Sequence, residues 1–400
     1  MPFVTATGPS GDALGMPAPS TPTMPSPTAG PVAPEGARFR SLDAVRGVAC
    51  LLVLGFHVAG AVLAAEHTGP AFAPLRFLEA WGFLGVDVFF VVSGYCIAAA
   101  AAASGGARPR ATFLARRARR IFPTFWASMA LAAVVGVGAL ALDRAGLAAP
   151  LFAPFEAGWH WVSSLLLAET ALKTVGLDPR YAANPPLWSL CYEVQFYALV
   201  ALGLVARSRR VAVGTVVATT LAAALVRAVP ALRPRGLLLD LWPEFLAGLW
   251  LHARVTGAHR PRSRAVLDAA FALALALHVG AFLAGGAGFA SDARRALFAG
   301  GVAVALAALR PWDARLAAAA PARGLAWFGV RSYSLYLVHF PVAMTLLGVA
   351  TRAGWTAGAG AWACALVASG AAVAAAAAFH RHVERRFLRA PPAASDRATT

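Results

Sequence analysis

The sequence predicts an all-α, polytopic integral membrane helical bundle of about ten transmembrane helices. Of its 400 residues, 59% are hydrophobic and only 13% are charged, whereas a soluble domain of this length needs far more charge to cover its surface. Apolar segments recur from about residue 42 almost to the end of the chain. A helix of about 20 such residues crosses a hydrocarbon core about 30 Å thick. The fold class is therefore that of a multi-pass membrane protein.

Ten apolar segments are assigned as spans, and loop charge gives their orientation. With a cytoplasmic N-terminus, about two thirds of the 35 basic residues fall in inner segments, as the positive-inside rule requires. This bias predicts that both termini lie inside. The spans cover residues 42–64, 82–103, 121–142, 185–206, 211–229, 237–253, 265–284, 294–310, 325–349 and 357–380.

The net charge of +17 is explained by this topology. Basic residues can bind nucleic acid in a soluble protein, but here they cluster in short connections between apolar spans. We therefore expect no nucleic-acid partner. The four cysteines lie inside predicted spans and lack the spacing of a metal site, so no bound metal is expected either.

Two tails flank the membrane domain, and one long outer loop interrupts its helices. Residues 1–37 are rich in Pro, Gly, Ser, Thr and Ala and lack lysine and arginine, which is typical of a disordered tail. Residues 38–388 form the membrane domain, and residues 389–400 form a second disordered tail. The outer loop, about 143–184, contains the apolar stretch GWHWVSSLLLAETAL, which is either an interfacial helix or a re-entrant segment.

The first span, SLDAVRGVACLLVLGFHVAG, carries Asp43, Arg46 and His57. Ionisable groups at membrane depth are costly and usually face a protein interior or a water-filled cavity. At about 100° and 1.5 Å per residue, Arg46 and His57 share one helix face and differ by about 16 Å in height. Asp43 lies one turn below on the same stripe. The span alone also allows an ordinary Asp43–Arg46 interfacial pair and a packed histidine.

Other spans add titratable residues. NPPLWSLCYEVQFYAL places Glu193 in the fourth span, and SYSLYLVHFPV places His339 in the outer half of the ninth. Together with His57 they lie at similar predicted depths, so a shared polar cavity explains them more economically than three packing accidents. A carboxylate beside a histidine orients the ring and raises its basicity, as a general base requires.

On the inner side, RPRATFLARRARRIFP carries six arginines before the third span. Arg116, Arg117 and Arg120 occupy neighbouring helix positions at the same membrane face as Arg46. Arginine binds phosphate oxygens bidentately, so a phosphorylated donor could extend a long arm from this cluster toward His57. Spacing alone does not separate such a site from a topology signal.

Six motifs in order resemble the bacterial membrane acyltransferase 3 family, which O-acylates polysaccharides, peptidoglycan, lipids or macrolide-type molecules. The resemblance runs from about residue 38 to 388 and implies a ten-helix core in the bacterial inner membrane. The motifs are RSLDAVRGVACLLVLGFH, FLGVDVFFVVSGYCI, RRARRIFP, PPLWSLCYEVQFYAL, WPEFLAGLW and SYSLYLVHFPV.

The resemblance implies that acetyl-CoA or another acyl-CoA is the co-substrate, with no permanently bound cofactor, and that the acceptor is a hydroxyl of a glycan, lipid or macrolide-like molecule. It implies that His57 is the catalytic residue, with Glu193 and His339 in supporting motifs. We add Asp43 to this catalytic group, and we assign Arg46 and the cluster at 116–120 to the CoA phosphates. Predicted substrate-binding residues are Asp87, Ser93, Trp188, Tyr192, Phe196 and Tyr336.

Two questions remain open at this level. Many relatives carry an extracytoplasmic SGNH-type domain after the last span, and this chain does not continue into one. Transfer is therefore expected to finish in the membrane domain or on a separate periplasmic or extracellular partner. The alternative function is a proton-coupled transporter or flippase, since buried His, Glu and Asp residues also build proton relays. The single-sided arginine cluster and the absence of visible inverted halves favour the enzyme.

Overall fold

The computed structural model describes residues 39–63, 67, 69–104, 108–149, 158–177, 184–203, 205, 208–228, 236–257, 261–283 and 287–388. The predicted tails, 1–37 and 389–400, and much of the long outer loop lie outside these residues. Within the described residues the chain forms helices and connecting turns without a β-strand, which confirms the all-α prediction.

Sixteen α-helices are present in this part of the chain, joined by short 3-10 turns and one π-helical turn. Their bounds are α1 Leu42–Val62, α2 Ala73–Trp81, α3 Leu84–Ala102, α4 Pro109–Arg144, α5 Gly158–Leu165, α6 Glu169–Lys173, α7 Trp188–Leu202, α8 Arg209–Ala228, α9 Trp242–Thr256, α10 Pro261–Leu283, α11 Ala287–Leu309, α12 Asp313–Ala318, α13 Ala320–Val330, α14 Ser332–Arg352, α15 Gly360–Phe379 and α16 Arg385–Leu388.

Eight of the described helical segments are long and apolar enough to cross a membrane. They correspond to every predicted span except the fourth and sixth. Those two correspond to α7 and α9, each of 15 residues, which is about 22 Å of helix. Each follows a short 3-10 turn, Pro185–Leu187 and Leu238–Leu241 respectively. The structure therefore supports a polytopic bundle with eight helices of full membrane-spanning length.

Two predicted boundaries differ from the structure. The third span was expected to begin at residue 121, but α4 begins at Pro109, so the arginine-rich segment is part of the same helix. The ninth span was expected to begin at residue 325, but the chain leaves helical geometry at Arg331 and α14 begins at Ser332. Residues 320–330 form the separate helix α13.

The helix before the break, α13, packs closely on α1. A Cβ on Gly329 would overlap the carbonyl oxygen of Asp43, and a Cβ on Gly47 would overlap the carbonyl oxygen of Leu325. The two helices are thus in backbone contact near the start of α1. The chain leaves helical geometry at Arg331, two residues after Gly329, and then enters α14.

Helices α1 and α3 run antiparallel, which defines two ends of the bundle. Phe39, just before α1, packs on Tyr95 in the second half of α3 with ring centroids 6.0 Å apart. Phe56, late in α1, packs on Phe83 just before α3 at 6.2 Å. We call the end that contains Arg46 and Tyr95 the arginine end, and the end that contains Phe83 and the first turn of α3 the aspartate end, after Asp87.

Candidate active site

A cavity of about 110 Å³ lies between α1, α3, α4, α7 and α14. It brings together three of the predicted arginines from two helices. Because its wall also includes Ser93, Glu193 and Tyr336, it joins predicted donor-binding, catalytic and substrate-binding residues in one site. We call it the arginine cavity. Its polar lining residues are Arg46, Ser93, Arg117, Arg120, Ser189, Glu193, Tyr197, Ser332, Tyr333 and Tyr336.

The arginines in this cavity have few protein acceptors. Arg46 Nη1 lies 3.9 Å from Asp43 Oδ1. Arg117 lies 5.9 Å from the ring centres of both Phe113 and Tyr197, and its buried Nε has no hydrogen-bond partner among the described residues. Within the same part of the chain, no carboxylate oxygen lies within 4.0 Å of Arg117 or Arg120. Their N–H groups therefore remain available to an anionic ligand.

Glu193 belongs to this cavity rather than to the surroundings of His57. Its Oε1 accepts hydrogen bonds from Ser93 Oγ at 3.1 Å and from the Tyr197 hydroxyl at 2.5 Å. Ser93 comes from α3, so the carboxylate ties α3 to α7. The depth estimate grouped Glu193 with both histidines, yet neither His57 nor His339 is among the described residues that line the arginine cavity.

His57 and His339 form a pair between α1 and α14. Their ring centroids are 5.4 Å apart and the planes are inclined by 42°. Phe56 and Phe340 pack edge-on against His57 at 5.0 and 5.1 Å. The sequence placed these histidines together, and the structure brings them into ring contact. Neighbouring aromatic rings give the pair an apolar surrounding.

Backbone carbonyl groups determine which ring nitrogen carries the proton when His339 is neutral. Its Nδ1 lies 2.9 Å from the carbonyl oxygens of both Leu335 and Tyr336. Carbonyl oxygens only accept, so Nδ1 carries the proton and Nε2 carries the lone pair. That Nε2 is buried and has no hydrogen-bond partner within the described part of the chain. His339 therefore presents a proton-accepting nitrogen inside the bundle.

Tyr336 connects the cavity with the histidines. It lines the arginine cavity, and its ring lies 6.1 Å from that of His339. Its hydroxyl donates to the Pro186 carbonyl oxygen and lies 2.7 Å from the Ser189 hydroxyl. A row of side chains thus leads from the arginines through Tyr336 and His339, both on α14, to His57 on α1.

Several predicted residues lie elsewhere. Arg116 is exposed and does not line the arginine cavity. The Tyr192 hydroxyl donates to Asp240 Oδ2 at 3.2 Å, and Phe196 is buried in a stack with Phe245. Trp188, Tyr192 and Phe196 are absent from the described cavity wall, so in this structure they pack neighbouring helices.

Asp87 is committed to an ion pair at the aspartate end. It is fully buried, and its Oδ1 accepts from Arg295 Nε at 2.9 Å and from Nη2 at 2.7 Å. The Arg295 guanidinium also lies 5.9 Å from the Trp188 ring centre. Glu244 is buried nearby and interacts electrostatically with both members of the pair. The geometry makes Asp87 a link between α3 and α11.

A second buried polar cluster lies behind the cavity wall. Ser334 donates to Glu384 Oε2 at 2.5 Å, and His380 Nδ1 lies 2.7 Å from the same oxygen. His380 and Glu384 bound a π-helical turn, a distortion that is frequent at functional sites. The Glu384 charge acts on Arg120 and Tyr333. This cluster therefore borders the site without lining it.

The sequence reasoning missed part of the cavity wall. Tyr197 lies four residues after Glu193, on the same face of α7, so helical spacing could have identified it. Tyr333 lies one turn before Tyr336 on α14 and carries the same signal. Arg295 carried none, because its partner Asp87 is 208 residues away.

The described residues contain no group of three or more His, Cys, Asp or Glu side chains placed to hold a metal ion. The polar groups of the described site are arginine, histidine, glutamate and hydroxyl side chains. Such a set can bind an anion at one end and accept a proton at the other.

Comparison with known proteins identifies the family. Residues 39–381 match the family described as Acyltransferase domain, Acyl_transf_3. The chain belongs to this family. A protein of Komagataeibacter xylinus named as a membrane-bound transacylase, BcsY, is 30% identical over 321 residues, which cover 76% of this chain and 72% of that protein. No solved structure matches the chain.

Family membership confirms the resemblance carried by the six motifs. Together with the apolar helices, it establishes a multi-pass membrane acyltransferase. The match begins at the first described residue, Phe39, and extends to Arg381 in the π-helical turn, so the arginine cavity and the histidine pair both lie inside the acyltransferase domain.

Proposed function

We propose that this acyltransferase moves an acyl group, in the simplest case acetyl, from acyl-CoA on the cytoplasmic side of the bacterial inner membrane to a hydroxyl group. The acceptor is a carbohydrate, a lipid-linked sugar or a macrolide-like small molecule. One observation carries the proposal: the row that runs from Arg46, Arg117 and Arg120 through Tyr336 to His339 and His57.

The arginine cavity supports a phosphorylated donor. Coenzyme A is a polyanion, and arginine forks bind phosphate oxygens with charge-assisted hydrogen bonds. The cavity holds three arginines and one carboxylate, Glu193, so its net charge favours an anion. Its volume of about 110 Å³ suits phosphate groups better than a whole CoA molecule. The pantetheine arm would then follow Tyr336 toward the histidines.

The histidine pair supports removal of a proton from the acceptor. In this step the acceptor hydroxyl gives its proton to a histidine, and its oxygen attacks the thioester carbonyl carbon. The carbon–sulfur bond then breaks, and the CoA thiolate takes the proton back from the histidine. Less buried than His339, His57 faces the acceptor, and His339 lies behind it with an accepting Nε2. Transient acylation of His57 itself is the other route through the same residues.

The direct test uses His57→Ala in the purified full-length protein, reconstituted in lipid nanodiscs. The assay supplies labelled acetyl-CoA and a membrane extract of the source cells as acceptor, and counts label transferred to lipid and glycan fractions. We expect transfer to fall by about 10²-fold or more, the scale of general-base catalysis. His382→Ala, a change at an exposed histidine, is the matched control and should retain full activity.

Retained transfer by the His57→Ala protein, with normal folding and membrane insertion, would contradict the catalytic assignment. Transfer of label from other acyl thioesters but not from acetyl-CoA would contradict the proposal that the acyl group is acetyl. The proposal of acyl transfer would still stand. Loss of one acyl mass from surface glycans or extractable metabolites of a deletion strain would identify the acceptor.

A further inference from the structure

Helix α14 contains a proline at a position where it affects the histidine pair. Pro341 has no backbone N–H, so the carbonyl oxygen of Leu337, four residues earlier, loses its helical partner. Leu337 and Pro341 are both buried in the bundle. A buried carbonyl without a partner costs free energy, so this oxygen requires a donor from outside α14.

Asn184 supplies that donor. Its side-chain Nδ2 donates to the Leu337 carbonyl oxygen at 2.8 Å, across 153 residues of sequence. Because a carbonyl only accepts, the amide nitrogen and not the amide oxygen must face it. Asn184 is only 1% exposed and immediately precedes the 3-10 turn Pro185–Leu187.

The same turn contacts α14 a second time. The Tyr336 hydroxyl donates to the carbonyl oxygen of Pro186. Tyr336 directly precedes Leu337, whose carbonyl oxygen accepts from Asn184. Two hydrogen bonds of opposite direction therefore fasten the turn to adjacent residues of α14. The chain enters α7 directly after this turn, so the tether also joins α14 to the helix that carries Glu193.

These tethers lie beside the contacts that orient His339. Three consecutive carbonyls of α14 are used: His339 Nδ1 donates to those of Leu335 and Tyr336, and Asn184 donates to that of Leu337. Proline inside a helix bends it, and the direction of the bend decides where the His339 ring points. The His339 ring keeps its contact with the His57 ring, 5.4 Å between centroids, only while the backbone of residues 335–337 keeps this course.

We propose that Asn184 is a positioning residue for acyl transfer, because its amide fixes the proline bend of α14 and so holds His339 against His57. The inference rests on the proposed function, in which the two histidines handle the proton of the acceptor. Asn184 is assigned no direct contact with either histidine. It acts through the carbonyl of Leu337.

A double-mutant cycle tests this role. Asn184→Leu keeps the side-chain size but removes the donor, and Pro341→Ala restores an N–H that can pair with the Leu337 carbonyl. We expect Asn184→Leu alone to lower kcat by about 10- to 100-fold, the scale of a small misplacement of catalytic groups. The KM for acetyl-CoA should stay within about twofold, because the arginine cavity is unchanged. In the Pro341→Ala background, the same change should lower kcat by less than about threefold, because the two sites share one carbonyl.

Asn184→Asp adds a signature that general destabilisation would not give. An ionised carboxylate cannot donate to the Leu337 carbonyl, whereas a protonated carboxyl group can. The activity of this variant relative to the unchanged protein, measured at each pH, should therefore rise as the pH falls. Gln195→Leu is the matched control, since it removes amide hydrogen bonds to Gly236 and Thr170 from α7 without touching α14, and its kcat should be unchanged.

The inference is overturned if Asn184→Leu keeps kcat within twofold of the unchanged protein, or if it loses the same factor with and without Pro341→Ala. Failure of the proposed function would look different. In that case His57→Ala and His339→Ala would still transfer label from acetyl-CoA. If both histidine variants are inactive while Asn184→Leu is fully active, only the positioning role fails.

Discussion

Arg295 at the aspartate end and Arg117 at the arginine end are both partly buried arginines, but their surroundings differ. Arg295 donates to both carboxylate oxygens of Asp87, which is fully buried. Arg117 faces a cavity, and among the described residues its Nε has no acceptor. An arginine whose fork is filled by a carboxylate links helices, whereas one whose fork is open can bind a ligand. The comparison separates residues of the fold from residues of the site.

Breaking the pair at the aspartate end should have the largest effect on stability. Asp87→Ala leaves Arg295 as a partly buried charge without its carboxylate partner, and removal of one partner of a buried ion pair costs about 3 to 5 kcal/mol. Thermal unfolding in detergent should show this as a strongly lowered Tm. Glu244 lies close enough to interact with Arg295, so it limits the loss.

The double variant Asp87→Leu with Arg295→Met provides the control for this prediction. Replacing both members by apolar side chains of similar size removes the uncompensated charge, so its Tm should lie above that of Asp87→Ala. If Asp87→Ala unfolds at the same temperature as the unchanged protein, the pair does not hold α3 to α11. The contrast between the two ends would then fail.

The opposite outcome is expected at the arginine end, where ligand affinity should change and stability should not. Arg117→Gln combined with Arg120→Gln removes two cations that face the cavity. We expect the KM for acyl-CoA to rise by about tenfold or more, which is at least about 1.4 kcal/mol of binding. The Tm should shift much less than for Asp87→Ala, because Glu193 and Glu384 act on Arg120 only from a distance and no carboxylate of the described residues lies within 4.0 Å of Arg117 or Arg120.

Arg116→Gln is the matched control, since Arg116 is exposed and lies on the same helix outside the cavity. Dephospho-CoA compounds, which carry fewer charges, should lose less affinity than CoA when Arg117 and Arg120 are changed. Equal KM values for the unchanged protein and the double variant would remove the arginine cavity as the donor site.

Glu193→Gln should change the KM for acyl-CoA less than the double arginine variant does. It also distinguishes two roles for Glu193, one in the arginine cavity and one in orienting His57. The amide oxygen can still accept from Ser93 and Tyr197, so the α3–α7 link is kept while one negative charge leaves the arginine cavity. We expect the KM for acyl-CoA to fall by about two- to threefold, since a like charge near the phosphates is removed. Steady-state kinetics with varied acetyl-CoA measures this. A loss in kcat with unchanged KM would instead support the role predicted from sequence, in which Glu193 orients His57.

The features that could be predicted from the sequence are those that depend on residue spacing and composition within one helix. Arg46 and His57 share a face because they are eleven residues apart in one helix, and Arg117 and Arg120 are neighbours for the same reason. In the structure Arg46, Arg117 and Arg120 line one cavity, whereas His57 packs against His339 outside its described wall. The eight full-length apolar helices are equally a matter of local composition. Such features need no knowledge of tertiary packing.

What could not be predicted depends on contacts between distant residues. Nothing in the sequence indicates Arg295 as the partner of Asp87, from which it is separated by 208 residues. The break at Arg331 lies inside residues 325–349, which the sequence predicts as one span, and it comes two residues after Gly329 meets the backbone of Asp43 on α1. The Asn184 tether to Leu337 has the same non-local character.

The smallest effect is expected for an arginine pair at the surface. Arg254 Nε lies 3.1 Å from Asp268 Oδ1, with side chains 47% and 36% exposed. Solvent screens this pair, and ordering two long side chains costs entropy, so exposed pairs contribute about 0 to 1 kcal/mol. Asp268→Asn should therefore leave both Tm and the KM for acyl-CoA nearly unchanged. The same kind of Asp–Arg pair would then have a large effect on Tm when it is buried, at Asp87, and almost none when it is exposed, at Asp268. Burial and not pairing would thus decide the effect.

A drop in Tm for Asp268→Asn as large as that for Asp87→Ala would contradict this rule. It would indicate that the Trp250 indole, which also donates to Asp268 Oδ1 at 2.8 Å, makes this carboxylate part of the fold.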